Sequence, residues 1–166
     1  MNILKDISKK KDLILKKKNI FSIVIISLLF FIDRYSKIEA INEFSDSVVY
    51  VNNFINFDLI WNTGIGFGLL STNTSLTYLL ITILIGIIIL VIFYTAITSE
   101  KSDNYIFSII AGGALGNFYD RLTYSAVPDF IDFHLYDFHW FTFNVADIFV
   151  TFGIIIFFLK SFLIRN

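Results

Sequence analysis

The sequence predicts an all-α membrane protein: a four-transmembrane-helix bundle with a small extracytoplasmic β-hairpin or sheet and an outer loop lying on the membrane surface. Three observations carry this. Hydrophobic residues make up 56% of the 166, Phe alone occurs 20 times, and the mean hydropathy is +0.73; a soluble domain is nearer half apolar. Long Ile/Leu/Phe runs with 1 Pro and 8 Gly argue for helices, because a barrel would show short alternating segments. Polar and ionisable residues gather where the apolar runs end, and ionisable groups at such depths mark function. The net charge of -1 identifies no partner by itself. The chain has no cysteine, which excludes disulfides, thiolate metal sites and a cysteine nucleophile, leaving hydroxyls, histidines and carboxylates for chemistry.

Taken in order, residues 1–19 form a basic segment carrying Lys5, Lys9, Lys10, Lys11, Lys16, Lys17 and Lys18 directly ahead of the first apolar run. Lysines abutting a span place the N-terminus in the cytoplasm and speak against nucleic-acid binding. The first span covers about 20–38. It opens like a signal-peptide core, but no small-x-small cleavage site follows, so it is read as retained. Near its outer end Asp33 and Lys37 lie four residues apart on one helical face, with Arg34 beside them. Taken alone, this reads as an interfacial ion pair with snorkelling side chains.

The first outer loop, 39–75, reverses the charge, with Glu39, Glu43, Asp46 and Asp58 and no lysine or arginine. Segments 48–51 and 54–61 are β-branched and aromatic around Asn52-Asn53, which predicts a small hairpin at the membrane surface. Asn62-Thr63-Gly64-Ile65-Gly66-Phe67-Gly68 follows. Its glycines permit unusual backbone angles or close approach of a ligand, or make a plain turn before the next span; no lysine follows to make it a nucleotide loop. The second span, 76–97, has about the length a bilayer core requires and holds no ionisable residue, which makes it scaffold.

A polar turn at 98–103 leads to a third span at 105–122, with Asp103 or Asn104 as its cap. Ala111, Gly112, Gly113, Ala114 and Gly116 give this span a small-residue surface, with a G-x-x-x-G pair that lets another helix come close. Asn117, Asp120 and Arg121 follow at i, i+3 and i+4 and can share one side. Read as an interfacial cap, they would hold an Asp120–Arg121 neighbour pair.

The second outer loop, 123–144, contains Asp129, Asp132, Asp137, His134 and His139 among 8 aromatics. Aromatics at that density mark the headgroup level, so this loop is expected to lie on the bilayer. His134, Asp137 and His139 would serve a metalloprotease as ligands, but the helical H-E-x-x-H spacing is absent; no metal and no cofactor are assigned. The fourth span, 145–164, is followed by Arg165 and contains Lys160, which return the C-terminus to the cytoplasm. Asn144 and Asp147 stand at its start, as N-cap and first-turn residue.

By this topology Asp33, Asp120, Asp129 and Asp147 emerge at one face of the bundle. Two carboxylates sharing a low-dielectric site cannot both ionise, so one keeps a proton while the other stays charged. Such a pair can act as general base on water and general acid on a peptide, with no serine, cysteine or metal.

Five stretches then carry a resemblance: Asp33-Arg34-Tyr35-Ser36-Lys37, Asn62-Thr63-Gly64-Ile65-Gly66-Phe67, the run from Gly112 through Gly116 to Asn117-Phe118-Tyr119-Asp120-Arg121, Val127-Pro128-Asp129-Phe130-Ile131-Asp132, and Phe143-Asn144-Val145-Ala146-Asp147. In this order, across nearly the whole chain, they resemble the boxes of lipoprotein signal peptidase, or signal peptidase II. That family comprises bacterial inner-membrane aspartic endopeptidases that cut the signal peptide from diacylglyceryl-modified prolipoproteins just before the lipidated cysteine. The resemblance implies that Asp129 and Asp147 are the catalytic pair, and that Asn62, Gly64, Asn117, Arg121 and Asn144 line the site and hold substrate. It gives Asp33, Lys37 and Asp120 supporting roles. By helical spacing alone Asp120 remains a rival to Asp129. Pro128, which fixes its own φ and lacks a donor, stands where the family usually has a small aliphatic residue, and Ile65-Gly66 replaces a pair of alanines; these touch pocket shape and not the carboxylates. The implied partners are lipid-modified prolipoproteins and membrane lipids, with no nucleic acid, for a monomer whose active site lies near the outer face. A small transporter or an assembly membrane protein is the competing class. A transporter, however, would carry charges or broken helices near the membrane midplane.

Overall fold

The computed structural model describes residues 16–64 and 75–165. The lysines at positions 5, 9, 10 and 11 and the Ile65-Gly66 departure lie outside the described residues.

Among the described residues four helices form: α1 (Lys17–Glu43), α2 (Ser75–Thr98), α3 (Lys101–Tyr124) and α4 (Val145–Arg165). Among the described residues α1, α2 and α4 are long and apolar enough to cross a membrane. Their outward side chains are large and apolar, among them Leu28, Phe31, Leu90, Val91, Phe158 and Phe162, which suits lipid rather than water. The third helix differs in kind. It buries Asn104, Ser108, Asp120 and Arg121, and it packs against α1, α2 and α4 alike. Its polar residues are therefore covered by protein.

The small-residue surface of α3 has two faces. A Cβ on Gly112 would sit 2.9 Å from Leu29 Cβ, and one on Gly116 would overlap the Asp33 carboxylate, so both positions let α1 approach. Gly113 faces α4 instead, where a Cβ would lie 2.5 Å from the Ala146 carbonyl oxygen. At the other end of α3 the expected cap is corrected: Glu100, not Asp103 or Asn104, precedes the helix, and Asp103 falls in the first turn. Asn104 is instead fully buried, donating to Asn19 Oδ1 at 2.9 Å and to the Ala96 carbonyl, which joins α1 to the end of α2.

The strands β1 (Val49–Asn52), β2 (Ile55–Asn62), β3 (Val127–Leu135) and β4 (Phe138–Phe143) form one antiparallel sheet in the order β1-β2-β3-β4. The first hairpin matches the expectation around Asn52-Asn53; the Asn52 side chain accepts the N–H of Phe54 at 2.9 Å and of Ile55 at 3.0 Å. The second outer loop is a correction. Residues 127–143 are not an irregular loop but a second hairpin, turning at Tyr136 with φ 53. Its β-branched and aromatic residues alternate as strands require, and the same aromatics had suggested a membrane belt. The chain is thus a helical bundle with a four-stranded sheet rather than an all-α protein. Ser125, in the left-handed region at φ 56, ends α3 and turns the chain into β3. The register then sets Ile60 opposite Asp129, Trp61 opposite Pro128 and Asn62 opposite Val127. Pairing with β4 begins only at Ile131, so Pro128 occupies a stretch where β3 is bonded on one side, as proline demands.

Candidate active site

Two carboxylates and three asparagines meet where the sheet covers the bundle. Asp129 comes from β3 and Asp147 from the first turn of α4. Asn144 precedes α4 as its N-cap and makes a reciprocal box: Asp147 N–H donates to Asn144 Oδ1 at 3.2 Å, and Asn144 N–H donates to Asp147 Oδ2 at 3.1 Å. This satisfies two donors that a helix start would otherwise leave open. The cap reading of Asn144 and Asp147 therefore holds together with their place in the site.

Each asparagine has its carbonyl oxygen anchored by a fixed donor, so that its NH2 is aimed at a carboxylate. Asn62 Oδ1 accepts the Gly64 N–H at 2.8 Å while Nδ2 donates to Asp129 Oδ2 at 2.8 Å. Asn144 Oδ1 is held by the box just described, and its Nδ2 donates to Asp129 Oδ1 at 2.6 Å. Asn117 Oδ1 accepts Lys37 Nζ at 2.6 Å, and Nδ2 donates to Asp147 Oδ1 at 2.8 Å. An amide has one acceptor end and one donor end. Anchoring the first therefore fixes the second.

Beneath the pair lies a buried charge network. Lys37 and Asp33 are fully buried and 2.8 Å apart, which corrects the picture of a snorkelling pair at the interface. Asp33 also accepts the Ala146 N–H of α4 at 2.9 Å, so α1 holds the helix that carries Asp147. Asp120, fully buried, is paired with Arg34, and its Oδ2 lies 2.7 Å from Lys37 Nζ as an ion pair without hydrogen-bond geometry. The Asp120–Arg121 neighbour pair does not form. Arg121 instead donates to the Gly64 carbonyl. Of the three residues expected on one side of α3, Asn117 and Arg121 face the site, whereas Asp120 turns to α1.

A cavity of about 320 Å³ opens beside the carboxylates. It is lined by Asp129, Asp147, Asn62, Asn117, Asn144 and Arg121. Among the described residues Arg121 Nη1, buried there, has no hydrogen-bond partner. Burial, reinforced by the neighbouring charge of Asp147, pushes the Asp129 carboxyl up to about 6, against the opposing pull of its amide donors. The apolar wall was not anticipated. It is made by Ile85, Ala114, Val127, Val150, Thr151 and Ile154. Val150, Thr151 and Ile154 stand 3, 4 and 7 residues after Asp147, a spacing that marks one helix face. Arg34 was noted only as a neighbour, and its role in the network rests on folding. His134 and His139 stack at 5.3 Å, and His139 Nδ1 lies 2.6 Å from Asp132 Oδ2. Neither histidine lines the cavity, and among the described residues no group of three His, Cys, Asp or Glu could hold a metal ion.

An apolar helix bundle with paired carboxylates and aimed amides beside a cavity defines a membrane enzyme of the hydrolase class. Comparison with known proteins agrees and narrows it. Residues 25–163 match the family model described as signal peptidase (SPase) II. The lipoprotein signal peptidase of Pelagibacter ubique (strain HTCC1062) is 48% identical over 153 residues, covering 90% of this chain and 92% of that one. That of Anaplasma phagocytophilum (strain HZ) is 38% identical over 145 residues, covering 85% and 91%. A solved bacterial membrane enzyme superposes with a TM-score of 0.72 at 30% identity, covering 88% of this chain and 90% of the other. The chain belongs to the signal peptidase II family and is a peptidase. The transporter and assembly readings are thereby set aside.

Proposed function

We propose that Asp129 and Asp147 form the catalytic dyad of this peptidase, and that it removes the signal peptide from diacylglyceryl-modified prolipoproteins, cutting before the lipidated cysteine. The observation that carries this is Asn144. It bonds to both carboxylates at once, so the pair faces one cavity with a common orientation. The ion pairs of Asp120 with Arg34 and Lys37 favour Asp129 over it as the partner of Asp147.

One carboxylate keeps a proton because two charges in one low-dielectric site repel. The ionised carboxylate takes a proton from water as the water oxygen bonds to the scissile carbonyl carbon. The protonated carboxylate donates to the leaving nitrogen as the C–N bond breaks. A new carboxyl and a free amine result, and the dyad has exchanged its proton. The amides of Asn62, Asn117 and Asn144 hold the carboxylates in place throughout. Arg121 Nη1, a buried donor left open, binds a substrate carbonyl, because an unfilled buried donor gains most from an incoming acceptor.

The protein is a four-span bundle of the bacterial inner membrane, with both termini cytoplasmic and the cavity near the outer face. Lysines ahead of the first apolar run, and Glu39, Glu43, Asp46 and Asp58 beyond it, support this orientation.

The test is cleavage of a diacylglyceryl-modified prolipoprotein by purified protein in detergent. Asp129→Asn and Asp147→Asn are expected to lose cleavage by at least about a thousandfold while remaining folded, with wild-type cleavage unchanged by chelator. Activity retained in either variant removes that residue from the dyad.

A further inference from the structure

Away from the carboxylates, at the opposite end of α1, a groove of about 740 Å³ lies between the start of α1 and the start of α3. Its lining divides sharply into two parts. Lys17, Lys18 and Lys101 supply three ammonium groups, and Ile20, Phe21, Val24 and Tyr105 supply an apolar wall. Phe21 and Tyr105 pack edge to face at 5.2 Å and join the two helices across the floor. Ile20, Phe21 and Val24 are about half exposed, at 48%, 52% and 55%, so the wall opens to the bilayer.

Among the described residues few acids oppose the lysines. Asp103 is held by Lys160, and Glu100 directly precedes Lys101 in the chain. Lys18 reaches the Ser99 carbonyl, using one of its three donors. The lysines come from positions more than eighty residues apart, brought together by the buried Asn104, which bonds Asn19, Ser22 and Ala96. The groove is thus a product of the fold and not of one basic run.

We propose that this groove is a binding site for an anionic phospholipid, with the headgroup phosphate on Lys17, Lys18 and Lys101 and an acyl chain along Ile20, Phe21 and Val24. Charge complementarity selects the phosphate. The apolar wall selects a lipid over a free phosphate, because a soluble anion would leave that surface unused. Basic pockets between helices at the headgroup level take anionic headgroups in this way, at about 1 kcal/mol per lysine.

The test uses the full-length protein in phosphatidylcholine nanodiscs with and without phosphatidylglycerol, with retained lipid read by native mass spectrometry. Wild type is expected to keep phosphatidylglycerol in preference to phosphatidylcholine. Lys17→Gln and Lys101→Gln should each weaken that preference about fivefold, and Val24→Asn should weaken it with all charges intact. Glycerol phosphate should fail to compete. Peptide cleavage in detergent should stay unchanged in these variants, which reports that they are folded. Equal losses from Lys5→Gln and Lys9→Gln would mean diffuse attraction to a charged surface and overturn the site. Competition by glycerol phosphate would replace the lipid with a free anion and overturn it too.

Discussion

Asp129 is pulled both ways: burial and the charge of Asp147 favour its protonated form, while the amides of Asn62 and Asn144 favour the ionised one, and the balance stands at about 6. The folded protein therefore binds a proton more tightly than the unfolded chain between pH about 4 and about 6. Its contribution to stability falls as pH rises through that window, reaching a cost of about 3 kcal/mol above it. Asp129→Asn removes this cost and weakens one amide bond worth about 1 kcal/mol. The Asp129→Asn variant should have a higher Tm in detergent than wild type at pH 8, and the gap should shrink at pH 4. The same sign governs catalysis. If Asp129 holds the shared proton, kcat/KM falls as pH rises through about 6; a rise through 6 would make it the base instead. Arg34 extends the residue scale below the site. It is paired with Asp120 and lies 4.8 Å from the Tyr119 ring. Arg34→Met leaves Asp120 competing with Asp33 for Lys37, and an uncompensated buried charge costs about 3–5 kcal/mol. The expected outcome is a clear drop in Tm that Arg34→Lys recovers in part; an unchanged Tm would show that Asp120 needs only Lys37. The carboxylates and amides that line the cavity could be picked out in the sequence. Their orientation could not, because it is set by donors such as Gly64 N–H and Lys37, which only folding brings near.

At the scale of elements, the close approach of α3 to its neighbours is the feature that seats the proposed dyad. Gly116 lets the Asp33 carboxylate lie directly against the α3 backbone, and that carboxylate holds the Ala146 N–H at the start of α4. Adding one methyl at Gly116 therefore does more than crowd two helices. Asp33 is fully buried and bound on both sides, so it has no free direction in which to yield. Gly116→Ala should lower stability by about 1–3 kcal/mol, the usual range for an overpacked core. It should also depress kcat, whereas Gly112→Ala, which meets Leu29 Cβ at 2.9 Å, should lower Tm with kcat largely kept. Equal activity in both variants would break the link from Asp33 to Asp147. The glycine surface was legible from residue types alone, and so was the first hairpin, from Asn52-Asn53. The second hairpin was missed for a physical reason. Phe and Trp suit a headgroup belt and a pleated strand equally well, and the turn between Leu135 and Phe138, Tyr136-Asp137, carries no Asn-Gly or Asp-Gly signal to announce a hairpin.

For the whole molecule, the question is how a helix as polar as α3 sits in a membrane. At 24 residues and 1.5 Å per residue it is about 36 Å long, enough to cross a hydrocarbon core of about 30 Å. By composition it is less apolar than the three helices that meet the criterion for a span. The packing resolves this, since α1, α2 and α4 all lie against it and its polar groups find partners in protein: Asn104 on Asn19, Asp120 on Arg34, Arg121 on Gly64. A span judged by hydropathy is judged as if lipid surrounded it, and α3 is surrounded by helices. If α3 crosses, Glu100 before it and Tyr136 beyond it lie on opposite sides of the membrane. The chain has no cysteine of its own, so single cysteines report position without background. In intact cells Tyr136→Cys, on an 85% exposed turn residue, should react with a membrane-impermeant maleimide. Glu100→Cys should react only after the membrane is opened. Labelling of both from outside would place the ends of α3 on one side and rule out the fourth span, and with it the route by which Asp120 and Arg121 reach the outer face.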